Sequence, residues 1–223
     1  MHTNPAAPAP AAEAVPVDRF RSFLTGRLDD YLALLRDMVE INSFTRNAPG
    51  VNRLGELTAR RFAELGFDVE RVESGNPAFG QHVVLSRHGR GGPTVGLVTH
   101  LDTVFPPEEE TAHDFRYRVD GNRIYGPGTV DIKGGTVMIF MVMDVLRACA
   151  PEVFEAVTWE ILLDAAEEAM SPDFGALLRD RLARPDAPSA ACLVFEGCRR
   201  DDDGWHVVTE RKGMSVARIN VEG

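Results

Sequence analysis

TVGLVTHLDTVFP, residues 94–106, is an apolar run that ends in His100 and Asp102. A strand that closes on an imidazole and a carboxylate places both at the edge of a sheet, where metal ligands gather. Three more stretches have the same form. YGPGTVDIKGG (125–135) carries Asp131, WEILLDAAEEAMS (159–171) leads into Glu167 and Glu168, and ACLVFEG (191–197) ends on Glu196. Carboxylate oxygens and neutral imidazole nitrogens are the donors of hydrolytic zinc sites. A further carboxylate beside the metal supplies the general base.

Each residue also has a plainer reading. His100 could be a polar edge residue, Asp131 a cap for the helix after it, and the Glu pair solvated loop charge. Asp102 favours ligation by His100, because a ligating His commonly donates its other ring nitrogen to a carboxylate. The glycines after Lys133 start the next helix without help from Asp131. WEILL is too apolar a lead-in for a casual loop charge, which favours function for the Glu pair. Glu196 follows CLVF, and the end of a buried strand is a poor place for an unpaired charge.

Outward from these stretches, the chain alternates helices and strands. Apolar residues recur at helical spacing from Arg19 to Glu40, and NAPG then breaks the pattern. A second amphipathic helix covers Leu54 to Leu65, with Gly66 as its stop. FDVERVE, HVVLSRH and TVGLVTH read as strands, the last two around the turn GRGG. FRYRVDGNRIYG reads as a hairpin turning at Asp120-Gly121 or its neighbours. Gly134 to Cys149 is a buried helix, AVTWEILLD a strand covered on both faces, Phe174 to Leu182 a helix, and SAACLVFEG another buried strand. The succession predicts an α/β domain of three layers around a central mixed, largely parallel sheet. The end, GWHVVTERKGMSVARINVEG, reads as the start of further β structure.

The formal net charge is −10, which disfavours nucleic-acid and anionic-membrane partners. Cys149, Cys192 and Cys198 are odd in number and lack thiolate zinc spacing, so a reducing compartment, the cytoplasm, is the simpler reading. Residues 1–17 are Ala/Pro-rich and read as a disordered tail without signal-peptide form. GPGTVDIKGG is not a phosphate loop, because its lysine precedes the glycine pair and no Gly-Lys-Ser/Thr is present. Lys133 reads as a surface cap or as part of a loop ion-pair network. His82, His88 and His113 read as surface residues. Asp201-Asp202-Asp203 reads as a turn, since the alternating calcium-ligand pattern is absent.

In the order and spacing of THLDTVFP, YGPGTVDIKGG, AEEAMS and VFEG, the chain resembles the zinc-dependent exopeptidase and deacylase family. That family includes aminoacylase, acetylornithine deacetylase and succinyl-diaminopimelate desuccinylase; YGPG, DIKGG and FEG lie nearest its glutamate carboxypeptidase branch. The resemblance runs from about Arg19 to the end. It implies two divalent metal ions, zinc first, with cobalt or manganese as alternatives. It implies that His100 and Glu196 hold one ion, Glu168 the other, and that Asp131 bridges them through a cis peptide to Ile132. Glu167 would be the general base and Asp102 would orient His100. Family members usually carry an Asp directly before the Glu pair and a Gly two residues after it; here these are Ala166 and Met170.

The implied substrate is a small peptide or an N-acyl amino acid. The implied domains are a catalytic part over 18–208, incomplete, and the first strand of a truncated lid or dimerisation domain over 209–223. Through that lid the full-length form would be a homodimer. A last His ligand of the second metal would lie downstream, since His206 comes too early. Two functional readings stay open: a hydrolase, or an inactive truncated remnant with residual metal binding.

Overall fold

The computed structural model describes residues 17–197, 200–201, 204–206 and 208. The expected N-terminal tail, up to residue 16, and the expected lid strand over 209–223 lie outside them.

The helices α1 (Val17–Gly26) and α2 (Leu28–Val39) replace the single helix expected from the periodicity. Arg27 divides them, at φ −119° and ψ 11°. Its guanidinium reaches the buried Asp144 carboxylate at 2.7 Å, which also accepts from Tyr31 at 2.8 Å. A buried carboxylate is costly unless paired, and the break lets Arg27 supply the charge. The helix α3 (Ala48–Ala63) starts earlier than expected. NAPG is its N-terminus, not a breaker: the Asn47 side chain accepts from the Gly50 amide, and Pro49 sits in the first turn, where no intrahelical donor is needed. Gly66, at φ +85°, follows it as expected.

The strands β1 (Asp68–Val72), β2 (His82–Arg87) and β3 (Thr94–His100) follow, then α4 (Pro107–Ala112) and the hairpin β4 (Arg118–Asp120) and β5 (Arg123–Tyr125). After α5 (Lys133–Cys149) and α6 (Pro151–Ala156) come β6 (Thr158–Asp164), α7 (Pro172–Leu182) and β7 (Ala191–Val194). A short hairpin, β8 (Arg200–Asp201) and β9 (Gly204–Trp205), ends the described chain.

The main sheet has the order β1-β2-β6-β3-β7. It is mixed: β1–β2 and β2–β6 are antiparallel, β3–β6 and β3–β7 parallel. Alternate residues of each central strand face opposite layers. Val83, Leu85, Leu97, Ile161 and Leu163 join the core under α2, α3 and α5. Val84, Val98 and Leu162 face the other way, onto Phe174 and Leu182 of α7. This explains the unbroken apolar run of β6: both of its faces are covered.

One strand departs from expectation. β7 was expected to be buried, yet all four of its residues are exposed, Leu193 at 53% and Val194 at 64%. Among the described residues it pairs only with β3, so it is an edge strand.

Candidate metal centre

The parallel strands end together, and this sets the site. β3 and β6 run in register to their last residues, His100 beside Asp164. β2 runs antiparallel to β6 with Val83 beside Leu163, so His82, one residue earlier, enters the same row. The loops leaving this edge carry Asp102, Glu167, Glu168 and Glu196, and the loop between β5 and α5 brings Asp131 to them.

His100 is the hub. Its ring is buried, and its Nδ1 lies 3.0 Å from the Asp102 carbonyl oxygen and 3.3 Å from Asp102 Oδ1. With Nδ1 so anchored, Nε2 faces the loops, 2.9 Å from Asp131 Oδ1 and 3.5 Å from Glu196 Oε1. Two trios bring one donor atom each within 4.8 Å of one another: His100, Asp131 and Glu168; and His100, Glu167 and Glu196. All four carboxylates expected at the site therefore meet around one imidazole. Glu167 stands beside the same ring, with one carboxylate oxygen within reach of His100 and Glu196. Glu196 is partly exposed at the end of an exposed strand, so its convergence on His100, not burial of β7, marks it. The Asp131–Ile132 peptide is cis, as the resemblance implied.

Asp102 does more than face His100. Its fully buried carboxylate accepts the Glu167 amide N–H at 3.0 Å, the Glu168 amide at 3.3 Å and the Thr45 hydroxyl at 2.7 Å. It thereby holds the 3-10 turn Glu167–Ala169 against the end of β3. Thr45 was not picked out from the sequence; a lone threonine after a helix carries no signal of its own.

Three more residues were misread or missed. Lys133 is not a surface cap: it is 1% exposed, and its Nζ donates to the Ile41 carbonyl at 2.9 Å. Burial pulls its ammonium down to about 8, against the attraction of Glu110. His82 is not a surface residue either, at 1% exposure, whereas His88 and His113 are exposed as expected. Asp164, two positions before the Ala166 that replaces the usual Asp, accepts the Ala166 amide at 2.9 Å.

The charges at the cluster strain against one another. Burial pulls the His100 imidazole down, but the hydrogen bond of Asp102 and the charges of Asp102, Glu196 and Asp131 raise it to about 9. Glu167 and Glu168 are both raised, first by burial; Glu196 adds to the first and Asp131 to the second, against the pull of His100. One imidazole and four carboxylates with donor atoms this close form a group that could hold a metal ion. Oxygen and imidazole donors at these separations suit a borderline divalent ion such as zinc.

A family model described as peptidase family M20/M25/M40 matches residues 96–214. The chain is 29% identical over 189 residues to carboxypeptidase G2 of Pseudomonas sp. strain RS-16, a match covering 85% of this chain and 43% of that protein. It is 30% identical over 175 residues to succinyl-diaminopimelate desuccinylase of Paracidovorax citrulli, covering 75% of this chain and 44% of that protein. The chain thus spans under half the length of these curated relatives. Among solved structures it is similar to human carnosine dipeptidase 1, with a TM-score of 0.66 at 18% identity over 80% of this chain and 40% of that one. It is also similar to an M20 family metallo-carboxypeptidase from Sulfolobus solfataricus, with a TM-score of 0.62 at 15% identity over 79% of this chain and 39% of that one. These structural likenesses concern the fold.

Proposed function

The chain belongs to peptidase family M20/M25/M40, and on that premise we propose that it forms the metal-binding part of a hydrolase that cleaves an amide bond in a small peptide or an N-acyl amino acid. The observation that carries this reading is the meeting of two donor trios at His100, at the edge where the parallel strands end. The family and its relatives with carboxypeptidase and desuccinylase names support the substrate class.

In this reading two divalent cations, zinc with cobalt or manganese as alternatives, would lower the pKa of a shared water from about 15.7 to roughly 7 and polarise the scissile carbonyl. Asp131, which shares the first trio with His100 and Glu168, would serve both ions; His100 and Glu196 would hold one of them and Glu168 the other. Asp102 fixes the His100 ring through Nδ1, so that Nε2 is left for the ion. Glu167 takes the proton of the attacking water and returns it to the leaving amine; burial, which raises its carboxyl, suits a group that must both accept and release a proton. The same Asp102 carboxylate that anchors His100 fixes both Glu amides, so one buried group sets the spacing of base and ligands.

The reading is tested by loading the protein with zinc, cobalt or manganese and assaying release of the C-terminal residue from dipeptides and of the amine from N-acyl amino acids. Turnover that stops with chelator and returns with metal is expected of the complete hydrolase, of which this chain supplies the metal-binding part. Metal bound at His100 without turnover on any of these amides would favour a remnant that has kept only metal binding.

A further inference from the structure

The loop that carries Glu167 and Glu168 is also held from beneath, by side chains that the proposed chemistry does not use. His82 lies between two carboxylates: Asp164 Oδ1 is 3.2 Å from its Nδ1, and Asp173 Oδ2 is 3.0 Å from its Nε2. The Ala165 amide directs its N–H at the same Nδ1, 3.1 Å away. Asp164 takes the Ala166 amide N–H at 2.9 Å and accepts from the Ser171 hydroxyl at the far end of the loop. Asp173 accepts the Gly75 amide at 2.6 Å and the Ser74 hydroxyl at 3.2 Å. The next two amides, of Glu167 and Glu168, end on Asp102. Four consecutive N–H groups, residues 165 to 168, therefore each end on a side chain: His82 of β2, Asp164 of β6, and Asp102 after β3.

The geometry points to His82 as a positioning residue for the Glu167–Glu168 turn: its Nδ1 holds the Ala165 amide or, when protonated, the Asp164 carboxylate, and its Nε2 ties the ring to Asp173 at the head of α7. The inference rests on the proposed reading of the site as a metal-dependent hydrolase. The ring is 1% exposed and packs on Phe174, with centroids 5.2 Å apart. A polar ring in that setting is retained only with its nitrogens satisfied. Nδ1 cannot serve both neighbours at once. With a proton it donates to Asp164; without one it accepts from Ala165. In both states Nε2–H reaches Asp173. Loss of the ring would free the Ala165 amide and release Asp164, and a misplacement near 1 Å at reacting groups costs about 10²-fold in rate. The competing explanation is a core histidine that fills space.

The two explanations separate by shape. An asparagine side chain reproduces the place of Nδ1 but not of Nε2, whereas leucine fills space and offers neither. The test uses the 223-residue chain, labelled with ¹⁵N, and reads the amide signals of residues 165–168 together with the visible absorption of bound Co²⁺. His82→Leu should move all four amide signals, alter the cobalt spectrum and weaken cobalt binding by about tenfold or more, the range for loss of a group that orients metal ligands. His82→Asn should return the Ala165 and Ala166 signals most of the way to the parent. If His82→Leu does not fold, Asp173→Asn reports instead, at a side chain 33% exposed: the Ala165 and Ala166 signals should move while those of Ile161 and Leu162 stay. Signals and spectra unchanged in His82→Leu or Asp173→Asn, or disturbed equally by His82→Leu and His82→Asn, would make His82 a space-filling residue. A parent that binds no cobalt but shows the predicted amide pattern would sink the hydrolase reading and leave His82 in its role. Normal cobalt binding with unmoved amides would do the reverse.

Discussion

Glu167 and Glu168 are neighbours in sequence with separate duties in the proposed reaction, and the two trios place both within reach of His100. Substitution separates the duties. In the complete hydrolase, Glu167→Ala should leave metal content near that of the parent and lower turnover by about 10²-fold or more, the range for loss of a general acid–base group. Asp131→Ala should lose metal as well as turnover, because one carboxylate then serves neither ion. Metal analysis beside the assay checks this, and the reverse pattern would exchange the roles. At His82 the sign of a pH effect follows from its partners. Burial lowers its proton affinity, but the hydrogen bonds and charges of Asp164 and Asp173 outweigh burial, so the imidazole is raised. Its contribution to stability is full below about 6.5, its ordinary value, and is lost as pH rises through the folded value. Burial would raise the Asp173 carboxyl, but the Gly75 amide and His82 outweigh it and hold the group at about 2. That contribution is full above the ordinary value of about 3.9 and is lost as pH falls through about 2. The melting temperature of the parent should therefore exceed that of His82→Leu most between about pH 4 and 6.5, and the gap should narrow towards pH 10. A gap that widened with rising pH would contradict the pairing.

At the scale of elements, the loop between β5 and α5 shows how much depends on backbone alone. Gly128 sits at φ +76°, and its carbonyl accepts the Lys133 amide at 2.7 Å, which folds the loop back before Asp131. Gly134 lies in the first turn of α5, where an added Cβ would stand 2.3 Å from the Thr129 carbonyl oxygen. That contact is with backbone, so no rotamer relieves it. Gly134→Ala should destabilise the protein by about 1–3 kcal/mol, the cost of overpacking, despite the better helix propensity of alanine. Denaturant unfolding measures this; a neutral or stabilising result would mean that the loop yields freely. The sequence made these elements legible where local signals agreed: β6 as a run of apolar residues, α5 from the two glycines at its start, Gly66 as a stop. It misled where a partner from afar intervened. Asp144 draws Arg27 out of the helical run, and Asn47 turns NAPG from a breaker into a start.

Across the whole molecule, the proposed metal site predicts a link between cation binding and stability. Zinc, cobalt or manganese should raise the melting temperature, by the equivalent of about 2.7 kcal/mol at a hundred times the dissociation constant, and chelator should return it. Asp131→Ala should abolish the rise, whereas an equal rise in that variant would place the metal elsewhere. The exposed strand β7 is the other molecular-scale feature. Among the described residues β7 pairs on one side only, and an apolar edge of that kind invites pairing between chains. The 223-residue chain should therefore self-associate as its concentration rises, and Val194→Lys should reduce this at a stability change within about 0.5 kcal/mol. Sedimentation velocity across a concentration series decides it. No helix among the described residues is long and apolar enough to cross a membrane.

The sequence alone determined the layered α/β fold and the identity of the residues at its polar edge, because both are written locally. Apolar strands that end in His, Asp and Glu reveal themselves by period and by punctuation, without knowledge of what lies beside them. It did not determine which strand stands next to which. Only the sheet order β1-β2-β6-β3-β7 put His82 beside Asp164 and His100 on its other side. A lone histidine at the start of a strand looks like surface until that register buries it. The same holds for Lys133, which becomes a buried donor to Ile41 only when α5 docks under the first loop. Nor could the sequence show Asp102 dividing its oxygens between Thr45 and the two Glu amides. Those contacts join residues 57, 65 and 66 positions apart, and pairings at that range are set by packing of the whole chain, not by any local preference.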